Sequence, residues 1–269
     1  MDTITKTIQE YYDTTVLDEW NRIAGRPEFL LTCRMLERYI KPGDTVLDIG
    51  GGPGRYTMHL AQKGCDVTLF DLSTENVKFA SEKAIEQGLS IQTMAGDARE
   101  VDKMIDRQFD YILLMGPLYH LLEEADRVKA VEAALKVLAP GGVIFVSFVN
   151  MFSGMIYIMK HVPEAIGSTV QSEIDFRASA IAGKSYAGDA FTQAFFIEQS
   201  EILPFMARFP LVKLHLFGQE GITPPCETNI MSQPKDIVDL WLDFCEAIWE
   251  REEFLSWAEH LMYVGRKVG

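Results

Sequence analysis

From Thr45 to Asn150 the chain alternates short apolar runs with longer segments whose apolar residues recur at three- and four-residue steps. "TVLDIG", "DVTLFDL", "SIQTMAGD", "FDYILLMG" and "VIFVSFV" read as five strands. The fourth is apolar enough to be covered on both faces. "RYTMHLAQKG" reads as a helix ending at Gly64, and "STENVKFASEKAIEQGL" as a helix capped by Ser73 or Thr74. In "EEADRVKAVEAALKVLAPGG", Val128, Val131, Leu135 and Leu138 keep helical spacing, and Pro140-Gly141-Gly142 stop it. Such alternation predicts a parallel sheet wrapped by helices on both faces. Ligands then bind beyond the carboxyl ends of the strands, where strand order reverses.

The flanks break this rhythm. Residues 1–44 read as a mostly helical cap, with the amphipathic "PEFLLTCRMLERYI" closed by Lys41-Pro42-Gly43. The stretch 151–196 is rich in Met, Phe and Tyr. "FIEQSEILPFMARF" reads as a helix, "LVKLHLFGQEG" and "HLMYVGRKV" as two further strands, with a helical insertion at 234–260 between them. One domain of 269 residues accounts for the whole pattern: cap 1–44, core 45–150, and a C-terminal part, 197–269, completing the sheet.

Charge narrows the partners. A net charge of -14 argues against a nucleic-acid surface and against anionic membranes. No window approaches the length of uninterrupted apolar residues that a membrane span needs. The N-terminus "MDTITKTIQEYYD" is acidic where a signal peptide is basic and then apolar. Cys33, Cys65, Cys226 and Cys245 are widely spaced, without the pairing of a metal site. The expectation is a cytoplasmic protein with reduced thiols, no metal, no nucleic-acid or membrane partner, and a homodimer as an open option.

The chemistry concentrates in "VLDIGGGPGRY", with four glycines in five positions after a strand. Glycines there let backbone N–H groups approach a ligand closely. Gly50, Gly52 and Gly54 give G-x-G-x-G, while Arg55 stands where the dinucleotide fingerprint needs its third glycine. The Gly-Lys-Ser/Thr of a P-loop is missing. Asp48 would repel a pyrophosphate but can orient or pair with a cationic ligand.

These residues resemble the first motif of class I S-adenosylmethionine (SAM)-dependent methyltransferases, and in particular their small-molecule, ubiquinone-biosynthesis-like branch. The resemblance covers about residues 40–150, with "VTLFD", "MAGDAR", "FDYILLMGPLYHL" and "LKVLAPGGVIFVS" following in order. It implies a Rossmann-like, doubly wound α/β sheet of seven strands in the order 3-2-1-4-5-7-6, the last strand antiparallel. It also implies SAM as cofactor, held by Asp48, Gly50, Gly52, Gly54, Arg55, Leu72 and Met115. Asp71 matches the acid that grips the ribose hydroxyls, and Asp97, with the Ala98 N–H, the group that meets the adenine. Tyr11 and Tyr12 resemble N-terminal aromatics that close over SAM, and packing tyrosines read equally well. Arg55 reads equally as a space-filler on its helix.

Methyl transfer needs alignment, exclusion of water and sometimes removal of a proton. His120 and Tyr119, in "GPLYHL", are the catalytic candidates: imidazole titrates near neutrality, and Tyr119 can orient an acceptor atom. Packing or capping is their plainer role. Met115-Gly116-Pro117-Leu118 lacks the N/D-P-P-Y/F/W of methyltransferases that modify exocyclic amines or glutamine side chains. The resemblance places a substrate lid at 151–196, whose composition suits an apolar or aromatic metabolite methylated at O or N. A protein or tRNA methyltransferase, and an NAD-dependent dehydrogenase, are the alternatives.

Overall fold

The computed structural model describes residues 2–190 and 192–269. Met1 and Phe191, the latter inside the expected lid, lie outside the described residues. Helices α1 (Thr3–Thr14), α2 (Val16–Arg22) and α3 (Pro27–Tyr39) form the N-terminal part. Then come β1 (Thr45–Ile49), α4 (Arg55–Gln62), β2 (Asp66–Asp71), α5 (Thr74–Glu86), β3 (Gln92–Ala95), α6 (Val101–Met104), β4 (Phe109–Leu114), α7 (Glu124–Val137) and β5 (Leu138–Val149). The segment 151–196 holds α8 (Ser153–His161), α9 (Gln171–Ala182) and a hairpin of β6 (Tyr186–Asp189) and β7 (Gln193–Phe196). The chain closes with α10 (Gln199–Met206), β8 (Leu211–Gly218), α11 (Glu227–Met231), α12 (Lys235–Ile248), α13 (Glu252–Leu255) and β9 (His260–Lys267).

The main sheet has seven strands in the order β3-β2-β1-β4-β5-β9-β8. β1 to β5 run parallel, and β9 runs antiparallel to both β5 and β8. With the hairpin strands set aside, this is the expected order. The reversal point lies between β1 and β4, so the loops after these two strands face one crevice.

Both faces of the central strands are covered, which explains their continuous apolar runs. Leu47, Ile49, Ile112, Leu114, Ile144 and Val146 pack on α7 and α10. Val46, Leu113, Val143 and Phe145 pack on the other side, against Leu31, Met35 and Leu36 of α3 and Val238 and Leu242 of α12. Ser73 caps α5, its side chain accepting from Asn76 N. No helix of the described residues is long and apolar enough to cross a membrane. All four cysteines are free thiols.

Three boundaries differ from the sequence reading. α7 ends at Val137, because Leu138 already pairs with Phe109 and Pro140-Gly141-Gly142 sit where the β4–β5 register shifts. The helix read over 196–209 starts at Gln199, since Phe196 belongs to β7. The insertion 234–260 is broken into α12 and α13, and His260 begins β9. Buried Asn150 fixes that second break, its Nδ2 donating to the carbonyls of Ala258 (2.9 Å) and Leu255 (3.3 Å).

Candidate active site

The turn after β1 explains its glycines one by one. Gly50, Gly52 and Gly54 all have left-handed backbone, with φ of 75°, 55° and 89°. A Cβ on Gly50 would sit 2.4 Å from Pro117 Cδ, so the loops after β1 and β4 are pressed together. A Cβ on Gly51 would meet the Asp48 carboxylate at 2.8 Å. Gly52 instead faces open space, with Asn76 Nδ2 its nearest neighbour at 4.0 Å. Gly54 packs on Ala80 and Leu69 and lies outside the cavity lining, so its part is to seat α5 against the loop.

Around this turn the acids have distinct surroundings. Asp48 is fully buried, and its Oδ2 accepts from the Thr57 hydroxyl at 2.6 Å. Its Oδ1 has no partner among the described residues. Burial, with Asp71 nearby, pushes its carboxyl up to about 7. Asp71 accepts from Gly52 N and Ser73 N at 2.8 Å each and from Asn76 Nδ2 at 3.3 Å; burial raises its carboxyl too. Asn76 Oδ1 is a second buried oxygen without a partner among the described residues. Asp97 is gripped by the Arg99 fork, which also reaches Asp126 at 2.8 Å and Thr5 Oγ1 of α1 at 3.0 Å.

The N-terminal helices close over this ground. Ser73 Oγ donates to Asp13 of α1 at 2.5 Å. Tyr12 and Tyr11 meet edge to face, and both line the cavity. The Arg55 guanidinium stacks 3.6 Å from the Trp20 ring centre, and its Nε donates to the Trp20 carbonyl at 2.6 Å. Arg55 therefore borders the cavity while serving to hold α2 on α4.

His120 is placed differently from the base the sequence suggested. Its Nδ1 donates to the Gln193 carbonyl of the hairpin at 3.1 Å, which leaves Nε2 to accept from the Tyr12 hydroxyl at 2.7 Å. Burial lowers its pKa to about 4. A neutral imidazole engaged at both nitrogens is a strut between α1, the loop after β4 and β7. Tyr119 is half-buried beside it, its hydroxyl pushed well up by desolvation.

All these elements border one cavity of about 820 Å³. Asp48, Gly50, Gly52, Asp71, Leu72, Asp97, Ala98, Met115, Tyr119, His120 and Tyr11 line it, so the expected residues converge apart from Gly54. Its volume falls within the ~300–1,000 Å³ of small-molecule sites. The far wall brings residues that sequence reasoning missed: Arg22 and Glu28 from the N-terminal part, Ser147, and His260 at the start of β9. Their positions, 22, 28, 147 and 260, form no local motif; topology alone assembles them.

This sheet order and this glycine turn resemble those of the class I, SAM-dependent methyltransferases. A family described as "Methyltransferase domain" matches residues 46–142. The chain is similar to a ubiquinone biosynthesis O-methyltransferase of Aeromonas salmonicida, 32% identical over 130 residues, which are 45% of this chain and 53% of that protein. It thus spans about half the length of the curated relatives it matches. Among solved structures it resembles a SAM-dependent methyltransferase from Clostridium acetobutylicum, with a TM-score of 0.58, 15% identity and coverage of 90% and 92% of the two chains. It also resembles the 1,6-didemethyltoxoflavin-N1-methyltransferase of Burkholderia thailandensis, with a TM-score of 0.60, 14% identity and coverage of 98% and 88%. These likenesses carry the fold across the full length of the chain.

Proposed function

We propose that the protein transfers a methyl group from SAM to an oxygen or nitrogen of a small, apolar or aromatic metabolite. The observation that carries this reading is the buried, unpartnered Oδ1 of Asp48 beside a glycine turn that leaves ligand space only at Gly52. A buried acceptor without a donor is costly, and an ammonium group satisfies it. A pyrophosphate would meet the same carboxylate with like charge, which disfavours the dinucleotide alternative.

When bound, SAM supplies a methyl group already activated by a sulfonium. Asp48 then holds the ammonium of its amino-acid part, and the Gly52 turn lets the backbone pass beneath it. Asp71 and Asn76 would hold the ribose, and Leu72, Asp97 and Ala98 the adenine, with Met115 lining the same cavity. Residues 151–196 act as the acceptor lid, giving Tyr157, Ile158, Val162, Phe176 and Phe196 to the cavity wall. Water is excluded there, and the acceptor is aligned by an apolar surface. The O-methyltransferase and N1-methyltransferase names of the similar proteins support transfer to O or N.

Calorimetric titration with S-adenosylhomocysteine (SAH) tests the cofactor site. Micromolar binding is expected, and Gly52→Arg, which fills the open space from a left-handed position, abolishes it. No heat with the wild-type protein would overturn the reading.

A further inference from the structure

His260 is the first residue of β9, in register with Val149 at the carboxyl end of β5. That places its ring over the edge of the sheet where the cavity opens, two strands beyond β4 and on the side away from Asp71 and Asp97. Its Nδ1 is 2.6 Å from Glu220 Oε1. The other oxygen of Glu220 accepts from the backbone N–H groups of Glu259 and His260 at 3.1 Å each. Glu220 is buried and stands behind the ring, outside the cavity lining. A carboxylate oxygen of Glu28 comes within 4.8 Å of the same pair. Nδ1 therefore carries a proton to Glu220, while Nε2 has no hydrogen-bond partner among the described residues. The Tyr119 ring centre lies 6.3 Å from the imidazole.

We propose that His260 is the catalytic residue that receives the acceptor's proton, with Glu220 as the positioning residue that fixes its tautomer and orientation. The proposal rests on the methyltransferase reading above. It moves the base from the sequence candidate, His120, whose nitrogens are spent on Tyr12 and Gln193, to a histidine that lines the cavity and whose Nε2 has no hydrogen-bond partner among the described residues. In the step, a lone pair on the acceptor O or N forms the new bond to the methyl carbon. The S–C bond breaks with its electron pair passing to sulfur, giving the thioether. The acceptor's proton passes to Nε2 of the neutral imidazole, and Nδ1–H stays on Glu220.

The groups facing this imidazole set when it is ready. Glu28, itself paired with Arg22 at 2.9 Å, comes from α3, Tyr119 from the loop after β4, and Glu220 from behind. Glu259 is adjacent and is held by Lys160 of α8 at 3.2 Å. Burial pulls the His260 pKa down, but Glu28 and Glu220 outweigh it and raise the pKa to about 9. In the free protein the imidazole is therefore a cation below about pH 9 and receives a proton only in its neutral form; a sulfonium in the cavity opposes those carboxylates, lowers the pKa and enlarges that neutral fraction. The same cluster is closed to a metal ion by the Arg22 guanidinium on Glu28 and by the N–H donors on Glu220.

SAM and SAH differ by one methyl group and one positive charge, so they measure this geometry without a known acceptor. His260 is followed by imidazole ¹⁵N NMR, its resonance assigned by its absence from His260→Gln or, should that variant not fold, from His260→Asn. SAM is expected to lower its pKa by roughly one unit more than SAH does, as a charge several Å away requires. Equal pKa values in the two complexes would overturn the proposal. Glu220→Gln lowers the pKa of His260 in the free protein; an unchanged value would remove Glu220 from the positioning role. If neither compound perturbs the glycine-loop amides, the cofactor reading itself fails, an outcome distinct from loss of the His260 shift. In a methyl-transfer assay His260→Gln is expected to lower the rate ~100-fold with SAH affinity kept. An unchanged rate would also overturn the proposal.

Discussion

In the proposed function, Asp48 trades stability for binding. Its carboxyl lies raised to about 7, above the ordinary 3.8, so the fold disfavours the charged form. The stability of the free protein therefore falls as pH rises from about 4 through 7. A ligand ammonium reverses the preference, which makes SAH affinity rise with pH through the same value. We expect wild-type affinity to drop ~10-fold per pH unit below 7, the proportion in which the charged form disappears. Asp48→Asn flattens that dependence and weakens binding, while stabilising the free protein at pH 8 by on the order of 2 kcal/mol. Calorimetry over pH 5.5–8.5 and denaturant unfolding at pH 8 check the two halves. Asp48, Gly50 and Gly52 were legible in the sequence because a strand, a turn and a helix put neighbours in sequence next to one another in space. Between the two roles that the sequence left open for His120, base or packing, the deciding contacts lie far away in the chain, with Tyr12 and Gln193 at sequence separations of 108 and 73.

At the level of elements, α1 is fastened over the cavity at three places rather than by a broad apolar face. Arg99 joins it through Thr5, Asp13 reaches the start of α5, and Tyr12 reaches His120. Only Thr5 and Ile8 of α1 are buried, so polar latches determine its position. Arg99→Ala removes one latch and frees Asp97. It should weaken SAH binding about 10-fold by calorimetry while leaving far-ultraviolet circular dichroism unchanged, because the sheet core does not include α1. The five core strands and their helices could be read from periodicity, since β1, β4 and β5 are buried on both faces. The hairpin β6–β7 could not: "YAGD" and "QAFF" are four residues each, too short for a period, and one carries a glycine. The end of the 234–260 insertion was hidden too, because the turn from α13 into β9 is fixed by Asn150, more than 100 residues away in sequence.

For the whole molecule, strand order decides what meets what. The β1/β4 reversal puts the glycine turn against Pro117, and the antiparallel return of β9 carries His260 to the carboxyl edge of a sheet that otherwise supplies only strand ends there. The wall proposed to hold the cofactor is thus built from the contiguous stretch that the sequence exposes, residues 48–115. The opposite wall, proposed above to meet the acceptor, is collected from α2, α3, the segment 151–196 and β9. That asymmetry explains why a donor was readable in the sequence and an acceptor was not.

The central claim, methyl transfer to a small molecule, is tested most directly with SAM labelled in its methyl group and a deproteinised, RNase-treated metabolite extract. Label is expected on oxygen or nitrogen of a compound in the small-molecule fraction, with SAH formed in equal amount. A protein that binds SAH yet moves label only into protein or RNA, or moves none, would contradict it.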